Sequence, residues 1–326
     1  MNRRHFLHCS SALGASTFLT SWPTLAQATT PSPLRFGIIT DVHKDIMHDA
    51  DARLQTFITA MTEAKVDFIV QLGDFCIPKA ANQGFLDIWN SFTGPRYHVL
   101  GNHDTDGGHK REQTVAWWKM PGRYYAFERS GVRFIVLDGN DRPKDHQGGY
   151  PRYIEQDQVE WLRKELEASE LPVIVFIHQS LERPDKGGVQ NGAAVRHVLE
   201  EANRKAGRRK VVACFSGHHH RDYVRQIHDI VYPQINSASY HWLGSSFQKV
   251  RYSEAIDQAH PHIKNTVPYK DPLFAIVTID HGRGFMSIKG RRSTFVGPAP
   301  WELGQDRAYW DAATLTPGIA DWKMPV

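Results

Sequence analysis

Short apolar runs in this sequence repeatedly break off into side chains that belong in no hydrophobic core. Residues 34–40 end in Asp41-Val42-His43, and residues 68–72 in Gly73-Asp74. Residues 97–100 end in Gly101-Asn102-His103-Asp104, residues 173–177 in His178, and residues 211–215 lead into Gly217-His218-His219-His220. Apolar runs bounded in this way read as buried strands. Between them the spacing turns helical: Leu54, Phe57, Ile58 and Met61 fall at i, i+3, i+4 and i+7, one face of an amphipathic helix. Further helical stretches carry Phe85, Leu86 and Trp89, then Val159, Leu162 and Leu166, then Val195, Val198, Leu199 and Ala202. Strand and helix alternating at this spacing predict an α/β fold with parallel central strands. In open sheets of that kind, ligands bind beyond the carboxyl ends of the strands. The fold would therefore gather five distant polar clusters on one rim.

The rest of the chain completes one domain. Residues 109–119 read as a helix, and 124–127 with 133–137 as a hairpin about Ser130-Gly131. A polar loop spans 138–153, and strand-like runs follow at 223–227, 230–235 and 273–279. Residues 240–272 form a long aromatic and polar excursion, a length typical of functional or disordered segments. The tail from Thr294 to 326, with Pro298, Pro300, Pro317 and Pro325, reads as irregular. The expected organisation is a leader over 1–28 and a single catalytic domain over 29–326, with its core at about 34–290.

The leader reads as an export signal. Arg3 and Arg4 precede Phe6-Leu7, a mildly apolar run follows, and Ala26-Gln27-Ala28 supplies a small-x-small cleavage site. Paired arginines in this position resemble the twin-arginine signal, read by the machinery that exports folded proteins. The expected location is a bacterial periplasm or the cell exterior, with no stable membrane anchor after cleavage. The formal charge of +4 includes Arg3 and Arg4, so the mature chain is close to neutral. Bulk charge therefore argues against a nucleic-acid complex. Cys76 and Cys214 remain after cleavage. An oxidising compartment permits their pairing, but two buried unpaired thiols are the preferred reading.

Each polar cluster has a bland alternative on its own. A lone His after an apolar strand, such as His178, is more often a core or capping residue than a ligand, and Asp74 after glycine reads equally as a helix cap. His219 is expected to point away from the site. Taken together, the clusters are a ligand set. Carboxylate, imidazole and amide oxygen suit Mn, Fe or Zn rather than soft copper. Asp41, His43, Asp74, Asn102, His178, His218 and His220 exceed the needs of one ion and suit two divalent ions sharing a carboxylate.

Asp-x-His, Gly-Asp, Gly-Asn-His-Asp, His and Gly-His-x-His, in that order over residues 41–220, resemble the calcineurin-like metallophosphoesterase family. The resemblance implies a four-layer α/β/β/α sandwich, two packed sheets flanked by helices. It also implies ligand roles: Asp41, His43 and His220 on one metal, Asn102, His178 and His218 on the other, and Asp74 bridging. His103 would be the acid facing the substrate, oriented by Asp104. Gln179 departs from the family, where a second His is common.

The implied activity is hydrolysis of a small-molecule phosphate ester by activated water, with a phosphodiester favoured over a monoester. Asn140, Tyr240 and Trp242 are the expected pocket walls, the two aromatic rings as stacking surfaces or else as buried core. A periplasmic metal-binding protein without catalysis is the alternative. It leaves His103 and Asp104 without a role.

Overall fold

The computed structural model describes residues 32–305 and 312–325; the leader expected over 1–28 lies outside them. The first strand, β1 (Leu34–Ile39), is followed by helix α1 (Ala50–Glu63), β2 (Phe68–Gln71), α2 (Gln83–Asn90) and β3 (Arg96–His98). Then come α3 (Arg111–Trp117), the hairpin β4 (Tyr125–Arg129) and β5 (Val132–Val136), α4 (Gln156–Glu167), β6 (Val173–Phe176), α5 (Gly192–Ala206) and β7 (Val211–Phe215). A second hairpin, β8 (Tyr223–Ile227) and β9 (Ile230–Gln234), precedes the excursion, which carries β10 (Tyr240–Trp242), α6 (Glu254–Ala259) and β11 (Thr266–Pro268). The chain ends in β12 (Ala275–Asp280), β13 (Phe285–Gly290) and β14 (Trp322–Pro325).

These strands form two six-stranded mixed sheets, ordered β14-β13-β12-β1-β2-β3 and β4-β5-β6-β7-β9-β8. The pairs β1–β2, β2–β3, β5–β6 and β6–β7 are parallel, as the alternating pattern predicts. Alternation along each strand then decides the layers. On β5 and β6, Phe134, Val136, Ile174 and Phe176 face the first sheet, while Ile135, Val173 and Val175 face α4 and α5 through Leu162, Leu166, Val195 and Leu199. Phe36 of β1 meets Phe134 and Phe176 edge-on, at 5.9 and 5.8 Å between ring centroids, and stacks on Phe68 at 4.8 Å. Truncating such a ring costs about 3–5 kcal/mol, so the phenylalanine contact is what holds sheet to sheet. On the far side, Leu54, Phe57, Met61, Phe85 and Trp89 of α1 and α2 cover the first sheet. The result is the expected α/β/β/α sandwich.

Two expectations need correction. The tail is not wholly irregular, because β14 pairs antiparallel with β13 and closes an edge of the first sheet. Its Pro325 sits at that edge, the place where a residue without an N–H is tolerated. The excursion is likewise not one loop: β10 and β11 pair antiparallel as a separate two-stranded sheet. Cys76 and Cys214 are free and buried, as the preferred reading had it.

Candidate active site

The loops after β1, β2, β3, β6 and β7 meet at one end of the sandwich and bring the predicted ligands together. Ligand atoms of Asp41, His43 and His220 lie within 4.8 Å of one another, and so do those of Asp74, His178 and His218. The two groups touch: His43 Nε2 is 3.8 Å from Asp74 Oδ2, and His178 Nε2 is 4.0 Å from Asp41 Oδ1. Asp41, His43, Asp74, Asn102, His178 and His220 are buried.

Backbone shape accounts for the convergence. Asp41, His43, Asp74, His218 and His220 all adopt left-handed backbone, with φ between 51° and 75°. Such conformations cost on the order of 1–3 kcal/mol each in non-glycine residues and persist where surrounding contacts dictate them. Those contacts are present: Asp41 N donates to Gly73 O at 3.0 Å and His43 N to Asp74 O at 2.9 Å, lacing the first loop to the second. Gly101 shows why the third loop needs a glycine. A Cβ there would press on the backbone nitrogen and the Oδ1 of Asp74.

The donor set fits two cations on direct structural grounds. The Nδ1 of His178 lies 2.7 Å from Leu72 O and must donate to it, which turns the lone pair of Nε2 toward Asp74 Oδ2 at 3.1 Å. A ring nitrogen and a carboxylate oxygen facing each other in a buried site call for positive charge between them, which a bound cation or a proton on His178 supplies: burial pulls that imidazole down, but Asp74 and Asp41 raise it to about 9. Asn102 Oδ1 is buried without a hydrogen-bond donor among the described residues, and so is His178 Nε2. His220 Nε2 lies 3.1 Å from Asp41 Oδ1 and 3.2 Å from His43 Nε2, a second close group of atoms able to ligate a cation.

The protonation balance follows from the same crowding. Burial opposes ionising Asp74, yet the neighbouring imidazoles of His178 and His103 hold its carboxyl well below the usual range. Burial keeps His43 and His218 neutral, each near 3, which leaves their lone pairs free to bind a cation. His103 goes the other way. Burial pulls it down, but Asp74 and Asp106 outweigh that and raise it to about 9.

His103 is half-buried at the mouth, its backbone N donating to Asp74 Oδ1 at 2.8 Å. Its orienting partner is not Asp104. The Asp104 carboxylate is turned inward and accepts from the backbone N–H groups of Gly101 (2.7 Å), Phe75 (2.7 Å) and Asp74 (2.9 Å). It pins the second loop to the third. Burial and the charge of Asp74 push its carboxyl up to about 8, against the pull of the Gly101 and Phe75 N–H groups. The partner of His103 is Asp106, whose Oδ2 lies 2.7 Å from Nδ1, with the Tyr150 hydroxyl 2.8 Å from Asp106 Oδ1 and 3.0 Å from the same Nδ1.

Sequence reasoning missed both residues. Asp106 stands at i+3 from His103, a spacing that could have been tested. Tyr150 comes from a loop 47 residues away and carried no local signal.

The expected pocket walls divide. Asn140 is fixed in place, donating to Leu100 O at 3.2 Å and Asp138 Oδ1 at 2.8 Å and accepting from Gln179 Nε2 at 2.6 Å. Gln179, the departure from the family pattern, thus acts as a prop. Tyr240 is no stacking surface for a substrate: it is 1% exposed, stacked on His43 at 4.9 Å and edge-on to His220 at 5.0 Å. It is a backstop for the ligands. Trp242 is exposed, its ring 6.3 Å from that of Tyr240. His219 turns away from the ligands to Ser180 Oγ at 2.8 Å, as expected.

Comparison with known proteins agrees with this geometry. Residues 34–222, more than half the chain, match the calcineurin-like phosphoesterase family. An 87-residue stretch is 37% identical to a manganese-dependent ADP-ribose/CDP-alcohol diphosphatase of Arabidopsis thaliana, covering 23% of this chain and 27% of that protein. The chain thus spans about a quarter of the length of that curated relative. A dimetal phosphatase from Danio rerio superposes with a TM-score of 0.57 at 15% identity, covering 81% of this chain and 99% of that one. GAP50, the anchor in the inner membrane complex of Plasmodium, gives 0.52 at 15% identity over 90% and 89% of the two chains. Both share the fold.

Proposed function

The chain belongs to the calcineurin-like phosphoesterase family, and we propose that within it this is an exported enzyme whose preferred substrate is a phosphodiester. That it is a hydrolase of phosphoric ester bonds, with two divalent metal ions as cofactors, follows from the family and the paired ligand groups. The observation that carries the reading is the meeting of those groups at Asp74, with His103 standing over them.

Two divalent ions bound there would supply an activated water nucleophile and neutralise phosphate oxygens. The chain's own residues supply the rest. Asp41, His43 and His220 would hold one ion, Asn102, His178 and His218 the other, and Asp74 lies between the two groups. Asn102 contributes an oxygen without charge, so the ligands leave surplus positive charge for an anionic phosphate. His103, kept protonated by its carboxylate neighbours, donates a proton to the departing oxygen. Asp106 holds that imidazole in a fixed orientation through Nδ1.

The same Asp106 supports the diester preference. Its carboxylate at the mouth opposes the second negative oxygen of a monoester, whereas a diester presents one. The hairpin of β4 and β5, Tyr-Tyr-Ala-Phe running into Ile-Val-Leu-Asp, resembles the phosphodiesterase branch of the family. The Arabidopsis relative is named for diphosphates esterified at both ends, which points the same way.

The experiment compares an aryl phosphate monoester with a bis-aryl phosphate diester, using manganese-loaded protein and its Asp74→Asn variant. Faster turnover of the diester, lost with Asp74→Asn, is the expected result. Preference for the monoester removes the diester assignment. Export is tested by replacing Arg3 and Arg4 with Lys, which should leave the protein in the cytoplasm; undiminished secretion removes that part.

A further inference from the structure

The polar loop between β5 and α4 touches the site at two points. At the first, the Tyr150 hydroxyl lies 3.0 Å from Nδ1 of His103, the proton donor. Two residues further on, Arg152 stands beside the second ligand group. A Cβ placed on Gly187 would lie 3.5 Å from Nε2 of His218 and 3.7 Å from Nη1 of Arg152, so both nitrogens border the same space. Gly187, with φ at 98°, carries no side chain to fill it. His218 is also the one member of the predicted ligand set that is not buried. The ligands therefore meet solvent where Arg152 stands.

Arg152 is half-buried, and its side chain has a neutral partner: Nη1 donates to Gly188 O at 3.0 Å. It forms no ion pair with a described residue. A guanidinium carries several N–H donors in a fixed fork, so most of them are left over. The fold does not need them. Main-chain bonds already fix the segment carrying Arg152, with Gln190 N donating to Arg152 O at 2.7 Å and Tyr153 N to Gly139 O at 2.9 Å. The facing turn is closed by Gly188 N donating to Arg183 O at 2.9 Å. The bond to Gly188 thus aims the side chain and leaves its charge without a counter-ion. That charge stands beside a site whose ligands gather divalent cations. Like charges brought this close call for an anion between them.

We propose that Arg152 is a substrate-binding residue, whose guanidinium takes a non-bridging oxygen of the phosphate under attack. It does so from the His218 side, while His103 serves the departing oxygen from the other. One short segment then does both jobs: Tyr150 steadies the proton donor, and Arg152 holds the phosphate. A guanidinium suits the task because its fork can grip two phosphate oxygens at once. The inference rests on the phosphoesterase reading above and deepens it by adding a residue to the same site.

The test uses the manganese-loaded full chain and its Arg152→Gln variant, with inorganic phosphate as the probe and a bis-aryl phosphate as the substrate. In the variant the inhibition constant of phosphate should rise and kcat/KM for the ester should fall, each at least about tenfold, the weight of a hydrogen bond to a charged group. Manganese content and thermal unfolding should match wild type, since main-chain bonds fix the loop. Phosphate inhibition unchanged from wild type overturns the inference. If the variant loses manganese or unfolds early, the wild-type protein decides alone. Phenylglyoxal modifies accessible guanidinium groups, and saturating inorganic phosphate should slow its labelling of Arg152 severalfold against chloride at equal ionic strength, read by peptide mass spectrometry. Unchanged labelling overturns the inference. Either negative leaves the phosphoesterase reading standing. Wild-type protein that cleaves neither the bis-aryl ester nor an aryl monoester removes that reading and the inference with it.

Discussion

Asp74 and Asp106 both reach His103, one through its backbone and the other through its ring, and they stand in opposite settings. Asp74 is 2% exposed, on left-handed backbone, with its main chain laced to the loops on either side. The Asp106 side chain is 41% exposed, and it is met by a tyrosine from a distant loop that is itself 43% exposed. The floor of the site is over-determined: each ligand is fixed by neighbours that are also ligands or that hold them. The mouth is assembled from a few pairwise contacts in partial solvent, where each is worth less. Floor and mouth therefore divide the work. One fixes the reaction, the other decides what is presented to it.

That division predicts a graded series. The largest loss should follow Asp74→Asn, which removes the carboxylate closest to both ligand groups, 3.1 Å from His178 Nε2 and 3.8 Å from His43 Nε2. Activity should fall at least about a thousandfold, beyond the 10–100-fold typical of residues that only orient ligands. Metal analysis should show fewer than two ions per chain. Full occupancy with full activity would break the claim that the floor is built around this residue.

Asp104→Asn comes next, and its effect should fall on stability as well as activity. The amide keeps one acceptor oxygen and turns an N–H₂ toward backbone donors, costing about 1–3 kcal/mol for the unsatisfied groups. Thermal unfolding would register it, and added manganese should recover part of the loss by binding the folded state. If Asp104 oriented His103 instead, the variant would be as stable as wild type and impaired only in turnover.

How much of this was legible in the sequence tracks the same division. The floor was readable because strand ends place ligands by topology: Asp41, His43, Asp74, Asn102, His178, His218 and His220 each follow an apolar run, and parallel pairing brings those ends together. The layers were legible only through the family resemblance: β5 and β6 are apolar on both faces, and the structure alone assigns Phe134 and Phe176 to one core and Ile135 and Val175 to the other. The mouth was not. Asp104 and Asp106 are near neighbours on a turn, and only the left-handed Gly107 and the inward rotation of Asp104 show which carboxylate meets the imidazole. Tyr240 read either as a stacking surface or as buried core, since an aromatic residue in a long excursion can be both; the pairing of β10 with β11 decides for burial and backs it against His43. β14 went unseen because its four residues have the composition of a tail and gain strand structure only from the edge they cover.

The smaller effects lie at the mouth. Asp106→Asn should reduce turnover about tenfold, and the loss should depend on the leaving group. A nitrophenolate departs with little help, so that substrate should be nearly indifferent, while an alkyl ester should show the full effect. The pH profile sharpens this. Asp106 is one of the charges raising His103 to about 9, against the downward pull of burial. A proton donor is active below its pKa, so activity on the alkyl ester should fall as pH rises through that value. Removing the Asp106 charge lowers the pKa, and the alkaline limb should move to lower pH. A loss equal for both leaving groups, with an unmoved limb, would return Asp106 to a purely structural role.

Tyr150→Phe should have the smallest effect of the series, and its size measures how far the mouth departs from the floor. The hydroxyl donates to Asp106 Oδ1 at 2.8 Å and lies 3.0 Å from His103 Nδ1. In neutral solution this phenol stays protonated: burial and the neighbouring Asp106 carboxylate both raise it well above its ordinary value. It therefore acts as a hydrogen-bond donor that steadies Asp106. Loss of one neutral donor in a half-exposed setting is worth about 0.5–1.5 kcal/mol at most, with solvent able to replace it. The expected change in kcat on an alkyl diester is a few-fold, smaller than that of Asp106→Asn. In the double variant the tyrosine should add almost nothing, because its contact acts through the carboxylate already removed. Fully multiplicative effects would mean that Tyr150 acts on His103 or the substrate directly, and the mouth would then be as tightly coupled as the floor.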